Sequence, residues 1–334
     1  MPIIDVSSFR PPALMSAASI QTILPSLARR PADPGFKREI LELPDGDFLE
    51  LDWLTSGAGV LAVVNHGLEG STASTYLRGM ALALRAAGYD VLAWNMRGCG
   101  TERNRLKTWY HSGQSDDLRL VLKRALEAHK GPVVLIGFSI GGNILLKYLG
   151  EEGNQVPSQV KAAVAISVPM DLESSADELA RPSKSMYMSY LLKPLRARIL
   201  EKAARFPGEF DVQGIDTIRT FHEFDARFTA PFHGFSSIQD YWGRASSLPY
   251  IGSITLPTLA VSALDDPFLS TQCFPFETAR ASKCVFLEVP KHGGHVGFVS
   301  GLSLQSTWVE RRAIEFLQPY ISDQGSARAL RVWA

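Results

Sequence analysis

Cysteine is scarce in this 334-residue chain: Cys99, Cys273 and Cys284 are the whole complement, an odd number with no C-x-x-C spacing. That excludes a disulfide framework and suits a reducing compartment, so a cytoplasmic location is the expectation. No apolar run approaches the roughly 20 residues that a membrane-spanning helix needs, and no integral membrane segment is expected. A secretory leader is not expected either, because Asp5 stands where positive charge belongs and Pro11, Pro12 and Pro25 break the apolar stretch. Net charge is also lacking. Thirty-four basic residues balance 34 acidic ones, and nothing denser than Arg29-Arg30 gathers positive charge, so there is no electrostatic reason to bind nucleic acid or an anionic membrane.

What the chain does have is 46% hydrophobic residues, with glycine and proline spread through the length, enough for one large α/β domain. Its most informative segment is residues 132–143, Pro-Val-Val-Leu-Ile-Gly-Phe-Ser-Ile-Gly-Gly-Asn. An apolar β-branched run ends in Gly137-Phe138-Ser139-Ile140-Gly141 and passes straight into a helical pattern over 143–149, which is a G-x-S-x-G nucleophile elbow in its required context. A serine at so sharp a strand-to-helix turn sits in strained backbone, and side chains at Gly137 or Gly141 would collide with the turn. The following helix start offers free backbone N–H groups, so the Ile140 N–H can face an oxygen that turns negative during acyl transfer.

A serine hydroxyl is a weak nucleophile and needs a base with an orienting acid. Residues 256–268 read as a buried strand closing on Asp265 and Asp266, and residues 283–290 as another strand followed by Lys291-His292-Gly-Gly-His295. The order serine, acid, histidine is that of the α/β-hydrolases. Asp266 is the chosen acid, since Pro267 fixes a turn that aims its carboxylate sideways, while Asp265 points away or caps the turn; one step along a strand reverses the side-chain direction. His295 is the chosen base, because Gly293 and Gly294 free the loop to bring it over the sheet; His292 is read as a loop or rim residue. His292 and His295 have metal-pair spacing but no third ligand, so neither metal nor cofactor is expected. The second oxyanion donor is assigned to the Leu68 N–H, in the loop that follows the strand over 60–65, with Gly67 letting the backbone turn. His66 either packs under that loop or acts directly.

Along the chain, residues 1–37 read as an N-terminal arm with helical potential near 16–27, residues 38–169 and 253–322 as the core, 170–252 as an inserted helical cap and 323–334 as a C-terminal tail. A hairpin is expected about Asp45-Gly46. Strands follow near 59–65, 90–96, 132–138, 161–168, 257–264 and 283–289, and helices near 73–87, 115–129, 142–150, 270–280 and 307–319. Their continuous apolar character predicts a mainly parallel sheet covered on both faces. Within the cap, helical patterns are read over 185–192 and 195–202, and Met186, Tyr187, Met188 and Tyr190 either line an acyl pocket or pack the cap onto the core.

Several stretches resemble the YheT-type α/β-hydrolases: Ile20-Gln-Thr-Ile-Leu-Pro25, Leu43-Pro-Asp-Gly-Asp-Phe-Leu49, Asn65-His-Gly-Leu-Glu-Gly70, Asn95-Met-Arg-Gly-Cys-Gly100, Tyr110-His-Ser-Gly113 and the run from Phe221 to Phe235. The resemblance spans most of the chain and implies the α/β-hydrolase fold with an arm and helical cap. It also implies kinship with medium-chain fatty acid ethyl ester synthase/esterases and some phospholipid-acting lipases, and triad positions for Ser139, Asp266 and His295. One departure is Ser19, where related sequences tend to carry histidine. The reading is therefore a serine hydrolase cleaving carboxylic esters of short to medium acyl chains through an acyl-enzyme on Ser139, its partner a small acyl ester. An acyl-ester synthase, acyltransferase or lipase on the same triad is the alternative, and a non-catalytic binding protein with this fold a more distant one.

Overall fold

The computed structural model describes residues 3–301 and 304–321; the tail expected over 323–334 lies outside the described residues. Among the described residues nine strands build one sheet: β1 (Ile3–Ile4), β2 (Lys37–Glu42), β3 (Phe48–Leu54), β4 (Leu61–Asn65), β5 (Asp90–Asn95), β6 (Val133–Phe138), β7 (Val160–Ile166), β8 (Thr258–Val261) and β9 (Val285–Glu288). Their order is β1-β9-β8-β7-β6-β4-β5-β3-β2. Strands β4 to β9 run parallel to one another, β3 pairs antiparallel with β5, and β2 and β3 form the expected antiparallel hairpin, turned at Gly46 with φ +84°. The two-residue β1 adds to the edge beside β9, a pairing too short to leave an alternation in the sequence. The order reverses at β4, which has β6 on one side and β5 on the other. In open α/β sheets such a switch point opens a crevice beyond the strand ends.

Alternate residues of the central strands feed two cores, as strand geometry requires. Val63 and Leu135 pack with α3 (Ser115–Ala128) and α4 (Ile140–Glu152), while Val64 and Ile136 pack with α2 (Thr75–Ala86) and α11 (Trp308–Ile321). The arm contributes α1 (Ala18–Ala28). Between β7 and β8 the described residues form helices and no strand: α5 (Leu172–Ala180), α6 (Ser185–Arg205), α7 (Phe221–Phe224), α8 (Ala230–Phe232) and α9 (Ile238–Ala245), with a π-helical turn over Asp225–Thr229. The two patterns read over 185–192 and 195–202 belong to one continuous α6, which carries Pro194 inside it. The helix expected over 270–280 is shorter: residues 271–273 make a 3-10 turn, and α10 (Phe276–Ala281) starts only after Pro275, whose ring and missing N–H cannot continue a helix. Among the described residues no helix is long and apolar enough to cross a membrane.

One buried ion pair fastens the arm to the body. Arg29, at the end of α1, meets Glu310 of α11 at 2.7 Å with side chains 3% and 2% exposed, and also donates to the carbonyls of Leu304 and Gln305 at 2.9 Å. Gly79 of α2 makes the room, since a Cβ there would stand 2.3 Å from both Arg29 and Glu310. Removing one partner strands a buried charge, so Glu310→Ala is expected to cost about 3–5 kcal/mol in urea unfolding. A loss below about 1 kcal/mol would show that the arm is held by other contacts.

Candidate active site

Ser139 stands between β6 and α4 with φ +51° and ψ −122°, a strained conformation for a residue with a side chain. The turn is possible because its neighbours are glycines: a Cβ at Gly137 would lie 2.5 Å from Gly141 O, and one at Gly141 would lie 2.3 Å from His66 O. The same lack of side chains lets the loop after β4 approach, and a Cβ at Gly67 would touch Ser139 Cβ at 3.1 Å. The β4 and β6 loops thus meet at the switch point of the sheet.

The Ser139 hydroxyl lies 3.0 Å from His295 Nε2, and His295 Nδ1 lies 2.8 and 3.1 Å from the two oxygens of Asp266. With Nδ1–H donating to the carboxylate, Nε2 faces the serine as an acceptor. The Asp266 side chain has no solvent exposure and also accepts the Phe268 N–H at 2.9 Å. Burial pushes its pKa up, against the opposing pull of His295. The Phe268 ring stacks on the imidazole with centroids 4.2 Å apart. The structure thus brings Ser139, Asp266 and His295 together and sends the neighbouring pair elsewhere: Asp265 accepts the Gly294 N–H at 2.9 Å and faces His292 Nδ1 at 3.3 Å. The two histidines face different aspartates, and among the described residues no group of three His, Cys, Asp or Glu side chains could hold a metal ion.

The histidine loop is held in unusual backbone. Val296 (φ +64°) and Phe298 (φ +45°) occupy the left-handed region, and the Val296 N–H donates to Ser167 Oγ at 2.9 Å. The arm grips the same loop: the His295 N–H donates to Thr22 Oγ1 at 3.0 Å, and Gln21 donates to Val299 O at 3.2 Å while accepting the Val299 N–H at 2.8 Å. Gly297 is needed there, because a Cβ would sit 1.7 Å from Gln21 O. Gln21 and Thr22 carry no role in the sequence reading, although they lie in a stretch that bears the family resemblance. Ser19, the departure, is exposed.

On the β4 side, the Gly67 N–H donates to Tyr76 OH at 2.9 Å and the Glu69 N–H to Tyr110 OH at 2.8 Å, so the amides on both sides of Leu68 are fixed by tyrosines. His66 is fully buried beneath them. Its Nε2 accepts the Met96 N–H at 3.0 Å, which leaves Nδ1–H to donate to Gly67 O at 2.7 Å. Burial lowers its pKa to about 4, so it is a neutral strut under the loop.

The family model for the α/β hydrolase fold matches residues 62–302. YheT of Escherichia coli (strain K12) is 36% identical over 326 residues, covering 94% of this chain and 94% of that protein. The chain belongs to the YheT-like α/β-hydrolases. Phospholipase ABHD3 of Homo sapiens is 27% identical over 90% of this chain and 76% of that one. Among solved structures, the Pyrococcus furiosus esterase Pf2001 matches with a TM-score of 0.59 over 86% of this chain and 92% of that one; at 19% identity the likeness is one of fold.

In this YheT-like hydrolase a cavity of about 540 Å³ opens onto Ser139 and His295. Its wall is mostly apolar, with Leu172, Leu179, Leu191, Leu195 and Phe224 from the helices between β7 and β8, and Ile23 and Leu27 from the arm. Met186, Tyr187 and Tyr190 line it too. Met188 is not among the lining residues and is buried in the main core.

The cavity wall holds two carboxylates set apart from the aspartates at Ser139, Glu69 beside Leu68 and Asp225 among the helices between β7 and β8. Asp225, in the π-helical turn, is half-buried and accepts Thr229 Oγ1–H at 2.6 Å and Trp242 Nε1–H at 2.9 Å. Burial raises its pKa to about 6, against those two hydrogen bonds. The folded group therefore holds its proton more tightly than the unfolded one, so its contribution to stability is greatest at acid pH and is lost as pH rises through about 6. Asp225→Asn is expected to raise stability by about 1–2 kcal/mol at pH 8, with the gain fading by pH 4. Thermal melts across that range check it; a variant less stable than wild type at pH 8 would refute it.

Proposed function

We propose that this protein is a serine hydrolase that cleaves carboxylic esters of short to medium acyl chains through an acyl-enzyme on Ser139. The observation that carries the reading is the chain of hydrogen-bond distances from Ser139 Oγ through His295 to Asp266, 3.0 and then 2.8 Å, at the floor of an apolar cavity. In this reading His295 Nε2 takes the Ser139 proton as Oγ attacks the ester carbonyl carbon, and Asp266 steadies the imidazolium that forms. The N–H groups of Leu68 and Ile140 receive the oxyanion. His295 then returns the proton to the departing alcohol, and water repeats the sequence on the acyl-enzyme to release the acid.

The helices of 170–252 act as the cap, closing an apolar chamber of a size suited to a small or medium acyl group. The name of the human relative, a phospholipase, supports ester cleavage, and the three free cysteines accord with a cytoplasmic setting. The cavity's exposed lining favours a second reading on the same triad, a lipase: Leu27, Met186 and Tyr190 are 66%, 59% and 72% exposed and would meet the apolar part of an amphiphilic ester.

Hydrolysis of p-nitrophenyl esters from acetyl to palmitoyl tests the proposal. Turnover should peak at one chain length and fall about 10⁴-fold or more in Ser139→Ala, with loss of fluorophosphonate labelling. Asp266→Asn should lose about 10³–10⁴-fold, since it breaks the tautomer, whereas Asp265→Asn should lose no more than about tenfold. Equal losses at the two aspartates would reassign the acid, and no turnover or labelling by folded wild type would favour a binding protein.

A further inference from the structure

Glu69 follows Leu68 directly and holds φ +50°, in the left-handed region that a long side chain rarely adopts. Such a conformation persists only where the surroundings over-determine it. Here they do. Arg198 of α6 grips the carboxylate with both arms of its guanidinium, Nε to Oε1 at 2.9 Å and Nη2 to Oε2 at 3.0 Å, while Tyr110 OH donates to Oε1 at 2.9 Å and accepts the Glu69 N–H at 2.8 Å. Both side chains of the ion pair are deeply buried, at 6% and 10% exposure.

Arg198 is itself held in place. Its Nη1 donates to Gly98 O at 3.1 Å, its guanidinium lies 5.6 Å over the Tyr110 ring, and a Cβ at Gly98 would stand 2.5 Å from Nη1. One and two turns further along α6, Lys202 donates to Asn104 Oδ1 at 2.7 Å and Arg205 to Asn104 O at 2.9 Å. One face of α6 is therefore latched onto the loop after β5, and its first latch passes through that loop to the residue beside Leu68.

We propose that Arg198 is a positioning residue for the oxyanion amide: through its paired bonds to Glu69 it fixes the Leu68 N–H, so that the site is complete only while α6 is docked. This rests on the reading of Ser139 as an ester-cleaving nucleophile. A pair that merely fastened the helix would have no reason to seize the strained residue directly after Leu68, whose own amide is fixed by Tyr110. The planar fork also suits arginine and not lysine, whose ammonium is a point donor.

The test compares wild type, Arg198→Met, Arg198→Lys and Glu69→Gln on the best p-nitrophenyl ester. Inhibition is measured with a trifluoromethyl ketone, which adds Ser139 to form an oxyanion, and with an ether analogue that has no carbonyl. Expected are a 10–100-fold fall in kcat for Arg198→Met and Glu69→Gln with KM within threefold, and an intermediate value for Arg198→Lys. The ketone should weaken in step with kcat/KM while ether binding holds. Should Arg198→Met not fold, Arg198→Lys is judged by the same readings. Rates within threefold of wild type, or a fall in rate with ketone affinity unchanged, would overturn the positioning role while leaving the esterase reading intact. Wild type that neither turns over ester nor reacts with the ketone would overturn that reading and this inference with it.

Discussion

The turn at Ser139 is a steric constraint before it is a chemical one. A chain leaving a parallel strand to enter a helix within one residue must bring β6, the first turn of α4 and the loop after β4 into van der Waals contact, and only glycines at 67, 137 and 141 allow it. Once those backbones touch, the serine has little choice of conformation and its hydroxyl stands above the sheet. The location also follows from the strand order: β4 and β6 are neighbours at the point where the order reverses, so their loops open the same crevice.

Polar groups in that crevice are fixed by bonds that specify their state. His66 and His295 are both histidines near the Ser139 turn, yet they are set for different tasks. His66 is locked between the Met96 amide and Gly67 O, neutral and without a free nitrogen. His295 is turned by Asp266 so that Nε2 is presented to the serine, and Asp266, removed from water, takes the Phe268 N–H as a second donor. The side chain that moves protons in the proposed reaction is the one whose neighbours are another titratable group and a hydroxyl.

Much of this was legible in the sequence because local signals and long spacing agreed. The elbow glycines, the buried strand patterns and the Asp-Gly hairpin each state their structure within a few residues, and Pro267 and the paired glycines at 293 and 294 favour Asp266 and His295, which the fold sets against each other. What the sequence did not disclose are relations between distant segments. The two-residue β1 is too short to carry a period, and α6 reads as two helices because Pro194 interrupts the pattern. Pro194 nonetheless lies inside the continuous α6. Which residues of α6 reach the cavity depends on tertiary packing: Met186, Tyr187 and Tyr190 line it and Met188 is buried in the core. The contacts of Gln21 with Val299, and of Arg198 with Glu69, join residues hundreds and more than a hundred positions apart, and no local pattern announces them.

Those long-range contacts share a logic. Each of the two loops of the site, the histidine loop and the loop after β4, contains non-glycine backbone at positive φ, Val296 and Phe298 in one and Glu69 in the other. Neither loop is regular structure, so each needs an external clamp to hold a strained backbone. The arm supplies one, through Gln21 and Thr22, and α6 supplies the other, through Arg198. The clamps come from the two segments that lie outside the alternating β/α body, and those same segments contribute Ile23, Leu27, Leu191 and Leu195 to the cavity wall. Shaping the chamber and bracing the groups that act in it are thereby one packing problem. A substitution that reshapes the wall of this cavity reaches the backbone around Ser139 through the same helices, which couples acyl selectivity to rate more tightly than a pocket built on independent loops would.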